Sequence, residues 1–396
     1  MGGQKGPIED DELSLPEAII KFASLPEDVI KFEIFSRLPV KSLCQLGRDS
    51  EWFRSLTTHP GFLDAYHHRR RCHYILSFWS SPQWDSVFYS IEPDSGWKAR
   101  ATSINEATNL HYNTYAKSIN GLMCISRKLD VSICQSATNE TRSLPRIPPC
   151  NEVRQHSQYI YFCYDPNSER YKVLRAVSIS DNVFPVTPTS YWIFTIGLDK
   201  SWRIIPDAPK LYHLRKGKSV CIDGSLYCTN FSTEEDDGVI ARFDVAGEYF
   251  GMISYPEGLS SSRYSSCYII ELKGSLCVID TGDLMKSCFM TIWIHNSKSW
   301  MESRIEFPSS WQIMVNIWQN CSFCNNSDGE IVVAVSGIST VGYCILIYNV
   351  ERQKWRKMEV LGLAERTILG DFLIEEAVES PCLLSNIFSR KRKRSK

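Results

Sequence analysis

The 396-residue chain has no long apolar run; none of its stretches approaches the ~20 residues a membrane helix needs. It has no excess charge either. With 44 basic and 45 acidic residues its net charge is -1, so no global field draws it toward nucleic acid or an anionic surface. The N-terminal MGGQKGPIEDDELSLPE lacks the basic start and apolar centre of a secretory signal. Without one, the 15 cysteines read as reduced thiols of a nuclear and/or cytoplasmic protein. Asn-x-Ser/Thr matches at Asn139, Asn230 and Asn325 then carry little weight. Catalytic signatures are also missing. There is no Gly-x-Ser-x-Gly elbow and no His-Glu-x-x-His, and Gly217-Lys218-Ser219 has Tyr212 where a phosphate loop needs glycine. Cys321 and Cys324 make half a zinc site with no second pair at metal spacing, and His67, His68, Cys72 and His73 read as a basic linker. No cofactor, metal, nucleic-acid or membrane partner is therefore expected.

What is present begins with a phrase said twice. Ser14-Leu15-Pro16-Glu17 recurs ten residues later as Ser24-Leu25-Pro26-Glu27. In the second copy Ser24 and Glu27 have capping-box spacing, and Pro26 falls in the first turn, where its missing N–H costs nothing. Ile30, Ile34 and Leu38 follow at i, i+4 spacing with Phe35 beside them, and Pro39 ends the helix. VKSLCQL and DSEWFRSL supply two more helical pieces, the second capped by Asp49 or Ser50. The first copy runs into Pro26 after nine residues, so the second is the working one.

Residues 24–56, SLPEDVIKFEIFSRLPVKSLCQLGRDSEWFRSL, resemble an F-box of the plant type. The resemblance rests on Leu25-Pro26, Ile34-Phe35, Leu38-Pro39-Val40-Lys41-Ser42-Leu43, Ser50, Trp52-Phe53 and Arg54-Ser55-Leu56. It implies an amphipathic helical surface that docks on a Skp-type adaptor, and through it on a cullin, by way of Leu25, Pro26, Ile30, Ile34, Leu38, Pro39 and Leu43.

The remainder repeats. Glycine turns at Gly224, Gly274 and Gly329 each precede an aromatic, Phe250, Trp300 or Trp355, by 26 residues (250−224, 300−274, 355−329). Between them lie IARFDVAGEYF, MTIWIHNSKSW and CILIYNVERQKW, and weaker copies begin at Gly121 and end at Trp202. Glycine permits the positive φ of a tight hairpin, alternation buries one face of each strand, and the aromatic packs between neighbouring sheets. Trp202, Phe250, Trp300 and Trp355 are 48, 50 and 55 residues apart, the period of a four-stranded propeller blade. About six blades are expected over 72–385, closed by FLIEEAVESPCLL pairing into the first; a β-sandwich pair is the alternative.

SINGLMCIS, YDPNSERYKVLRA, SWRIIP, IDGSLYC, RFDVAGEYF and AVESPCLL also resemble the F-box-associated or kelch-like region of plant F-box proteins, although no blade carries the double glycine of a strict kelch repeat. The expected fold is α+β and multidomain, a small all-α F-box cap followed by an all-β propeller. Its parts are a flexible 1–23, the F-box at 24–71, the propeller at 72–385 and a basic tail at 386–396. The tail ends in RKRKRSK, which reads as a nuclear import address or a solubilising end. The resemblance implies a non-catalytic receptor of an SCF ubiquitin ligase that holds an unknown target protein. A non-ligase scaffold and a propeller enzyme are the other classes. The acidic run at 232–238 reads as a solvated loop or a rim for a basic partner, and loops such as 180–190 would set specificity.

Overall fold

The computed structural model describes residues 25–68 and 73–389, apart from the stretches 81–84, 95–96, 104–113, 128–129, 136–137, 139, 147–155, 180–189, 207, 214–217, 233–237, 260–266, 285–287, 312–317, 338–342, 364–371 and 378. The first copy of the duplicated phrase, Ser24, most of the acidic run, the 180–189 loop and the RKRKRSK tail lie outside these residues. The chain divides into two compact units, 1–69 and 70–396.

The first unit is helical. Its opening stretch is wound as a π turn over Val29–Ile34 and tightens to a 3-10 turn over Phe35–Arg37. A π turn is wider than an α-helix, which breaks the expected i, i+4 face. Phe35 and Ser36 are the buried residues here, whereas no residue of Val29–Ile34 is buried. The stretch ends before Pro39, since Leu38 is extended with ψ 144°, as a residue preceding proline prefers. Pro39 then occupies the N-cap of α1 (Val40–Asp49), whose buried stripe is Val40, Leu43, Cys44 and Gly47. Ser50 holds the N-cap of α2 (Glu51–Leu56) through its backbone, and its hydroxyl makes no capping bond. The Arg54 guanidinium donates to the Gly47 and Arg48 carbonyls, which satisfies two acceptors at the α1 C-terminus. In α3 (Pro60–His68), Phe62 and Tyr66 are one turn apart, buried and stacked at 6.2 Å.

The second unit is mostly β and propeller-like. β1 (His73–Ser80), β2 (Asp85–Pro93) and β3 (Lys98–Ser103) run antiparallel, and β25 (Phe372–Ala377) pairs antiparallel with β1. The last strand thus completes the first sheet, as expected from FLIEEAVESPCLL. Sheet two is β4 (Thr114–Ile119), β5 (Leu122–Arg127), β6 (Asp130–Gln135) and β7 (Glu140–Ser143). Sheet three is β8 (His156–Asp165), β9 (Arg170–Ile179), β10 (Ser190–Thr195) and β11 (Arg203–Ile204). Sheet four is β12 (Tyr212–His213), β13 (Ser219–Ile222), β14 (Ser225–Ser232), β15 (Val239–Asp244) and β16 (Tyr249–Ser254). Sheet five is β17 (Cys267–Leu272), β18 (Ser275–Asp280), β19 (Phe289–His295) and β20 (Trp300–Glu306). β21 (Trp318–Asn325), β22 (Ile331–Gly337), β23 (Tyr343–Asn349) and β24 (Lys354–Leu361) form a further antiparallel set, joined to the first sheet where β24 pairs in parallel with β3. A short helix, α4 (Leu384–Ser389), follows β25.

The turn chemistry follows the sequence. Asn120-Gly121, Asp223-Gly224 and Lys273-Gly274 have positive φ at both residues, the two-residue hairpin that matches strand twist. The inner strands lie against their neighbours in the order β25, β4, β8, β13, β17, β21 and back to β25. Apolar clusters fill the spaces between sheets: β18, β19 and β22 meet through Ile279, Ile292 and Val333, and β9, β10 and β15 through Leu174, Ile193 and Phe243. The period-bearing aromatics tie each sheet to the one before it. The Trp202 indole N–H donates to Pro145 O at 2.8 Å, Trp300 to Ser254 O at 3.1 Å and Trp355 to Glu306 O at 2.8 Å. Phe250, which has no such donor, packs on Tyr191 of sheet three at 4.3 Å.

Candidate functional site: an apolar helical surface

The helical unit leaves large apolar side chains in solvent. Leu25 is 39% exposed and Trp52 42%, and Val29 is also exposed. Pro26 and Pro39 are exposed, and Ile30, Ile34 and Leu38 are half-buried. Leu43 differs: it is 0% exposed, so it supports the surface from inside. Val29 and Trp52 join the exposed set without having been expected there. Trp52 sits 6.0 Å from Phe35 and 4.9 Å from Phe53, and Phe35 lies 4.8 Å from Phe53, so the three rings brace one another edge to face. The Lys31 ammonium lies 5.8 Å from the centroid of the Trp52 ring and pairs with Glu27. The surface thus combines exposed apolar side chains with a cation above an aromatic face.

The β body offers little chemistry among the described residues. Cys321 and Cys324, the half zinc site, both lie on β21 three residues apart and therefore point to opposite faces. Cys321 packs in one apolar cluster and Cys324 against another, so the pair does not converge. Burial pushes both thiols up, and Cys277 is pushed up to about 12 and Cys344 to about 11 for the same reason. Thiols so shifted are protonated near neutral pH and are poor nucleophiles. Among the described residues no group of three or more His, Cys, Asp or Glu is placed to hold a metal ion. No described helix is long and apolar enough to cross a membrane.

Charged groups on the inner strands instead bind sheet to sheet. The Lys117 ammonium pairs with Glu375 at 2.7 Å, and the other Glu375 oxygen accepts from Ser118 N. Asn325 donates to Glu271, and Ser327 N donates to Glu376. On the outer side, Glu248 accepts from Arg203 and Lys172. Burial alone would raise the Glu248 carboxyl, but these two cations more than offset it and hold it below the ordinary carboxylate value.

A ring of mutually contacting first strands, each leading into an antiparallel sheet, defines a propeller-like β body. The chain belongs to the F-box associated beta propeller domain family, whose pattern matches residues 70–383, and the β-sandwich alternative is set aside. Similar proteins include F-box proteins of Arabidopsis thaliana. One is 24% identical over 391 residues, 92% of each chain. Another is 26% identical over 368 residues, 84% of this chain and 89% of the relative. An F-box/kelch-repeat protein is 24% identical over 394 residues, 90% of this chain and 89% of its own. Among solved structures, an oligogalacturonate lyase in complex with manganese aligns over 73% of this chain and 86% of its own at 8% identity, with a TM-score of 0.39.

Proposed function

We propose that this chain is the substrate-recognition subunit of an SCF-type E3 ubiquitin ligase. Residues 24–71 are its F-box. Leu25, Pro26, Ile30, Ile34, Leu38 and Pro39, with Leu43 packed beneath, dock on the Skp-type adaptor, and Val29 and Trp52 extend that surface. Residues 72–385 form a propeller of six kelch-like blades that binds a target protein. The chain itself catalyses nothing. It raises the local concentration of target at the ligase, and ubiquitin transfer belongs to other subunits. It works in the nucleus and/or cytoplasm, with 390–396 as its import address.

The observation that carries this reading is the family match over 70–383 together with relatives named as F-box proteins along nine-tenths of the chain. The exposed apolar set on the helical unit supports the adaptor half. The neighbour order of the inner strands supports six blades, with β25, β4, β8, β13, β17 and β21 each opening one. The test is capture of purified Skp-type adaptor by the full chain, followed by recovery of cullin from a plant lysate. Adaptor and cullin together support the ligase reading. Adaptor without cullin points to a scaffold, and failure to hold adaptor removes the proposal.

A further inference from the structure

After β25 the chain does not leave the β body. Ser380, Cys382, Leu383, Leu384 and Ile387 are all buried. Cys382, Leu384 and Ile387 pack in one cluster with Leu122 and Ile133 of sheet two and Phe162 and Val173 of sheet three. Gln135, at the end of β6 and fully buried, donates its side-chain amide to Ser380 O at 2.8 Å and Cys382 O at 2.9 Å. Gly197, between β10 and β11, has φ +76°, and a Cβ there would sit 2.5 Å from Ile387 O, so the α4 backbone rests directly on this turn. The Arg142 guanidinium lies 5.3 Å from the Phe388 ring. The family match ends at residue 383, so α4 falls just beyond it.

We infer that the chain fastens its β body twice. β25 completes the first sheet, and Ser380–Ser389 then acts as a strap across sheets two and three that keeps β25 seated. Only Val378 and Glu379 separate β25 from Ser380. The three Cα–Cα steps from Ala377 to Ser380 span at most about 11 Å, so the C-terminal end of β25 cannot move far from β1 while the strap stays bound. Opening the first sheet therefore requires release of the Gln135 bonds and of the Leu384 and Ile387 side chains. Removing only 390–396 leaves the fastening intact. The inference rests on the observed pairing and packing and is independent of the ligase reading.

Hydrogen exchange followed by mass spectrometry on the full chain tests it, with Leu384→Ala, Gln135→Ala and a chain ending at Ser389. Leu384→Ala should speed exchange of the β25 and β1 amides by about tenfold or more, and Gln135→Ala by less, while β14 and β15 of sheet four stay at parent rates. The chain ending at Ser389 should match the parent. Three outcomes overturn the inference: α4 exchanges freely while β25 stays protected, all sheets accelerate together, or neither substitution loosens α4. If Leu384→Ala does not fold, Gln135→Ala decides by the same comparison of β25 with sheet four.

Discussion

Truncating Trp202 measures how strongly the repeat holds its sheets together. The ring is 5% exposed, packs 5.5 Å from Phe194, and donates its indole N–H to Pro145 O beyond the end of β7. Trp202→Ala removes a buried ring whose site cannot fully collapse, a loss of about 3–5 kcal/mol. Trp202→Phe keeps most of the apolar area but leaves the Pro145 carbonyl without this donor, about 1–3 kcal/mol. Trp300 and Trp355 make the equivalent bond but are only half-buried, so their alanine variants should cost clearly less than Trp202→Ala. The assay is chemical denaturation of the four variants and the parent, read as midpoint at constant slope. The reasoning is refuted if Trp202→Ala costs under about 1 kcal/mol. It also fails if Trp300→Ala and Trp355→Ala cost as much as Trp202→Ala, because burial would then not set the scale.

Other perturbations reach the rest of the chain. Ile34→Asp should abolish adaptor capture, because it puts a charge into an apolar contact, whereas Pro16→Ala in the first copy should bind like the parent; equal loss from both would move the docking surface. Alanine at Lys391, Arg392, Lys393 and Arg394 should shift a fluorescent fusion out of the nucleus, and an unchanged distribution would return the tail to a solubilising role. The Glu248 carboxyl is held below its ordinary value of 4.5, so its stabilisation is present above pH 4.5 and is lost as pH falls through the depressed folded value. Thermal midpoints of the parent and Glu248→Gln should therefore differ near neutral pH and converge in acid; a constant gap would show that the charge is not the stabilising element.

The local elements of this protein were written in its sequence. Gly121, Gly224, Gly274 and Gly329 marked turns because glycine takes positive φ at no steric cost, and all four do so. Alternating apolar residues then marked the strands those turns join, and the spacing of Trp202, Trp300 and Trp355 marked the unit that repeats. Both signals are short-range, fixed by backbone sterics and by the two-residue period of a strand. The apolar residues of the first helical stretch were legible as a list, whereas its winding was not. Val29 is exposed on the π turn, and burial falls instead on Phe35 and Ser36 of the 3-10 turn, where Trp52 and Phe53 brace the Phe35 ring. The tertiary structure alone decided the long-range partners. Nothing local tells Gln135 that it will hold Ser380 and Cys382, 245 and 247 residues away, or tells β24 that it will run parallel to β3. Those contacts arise only when segments far apart in the chain meet. An amide side chain or a strand edge carries the same hydrogen-bonding groups whichever segment arrives, so the path of the chain selects the partner.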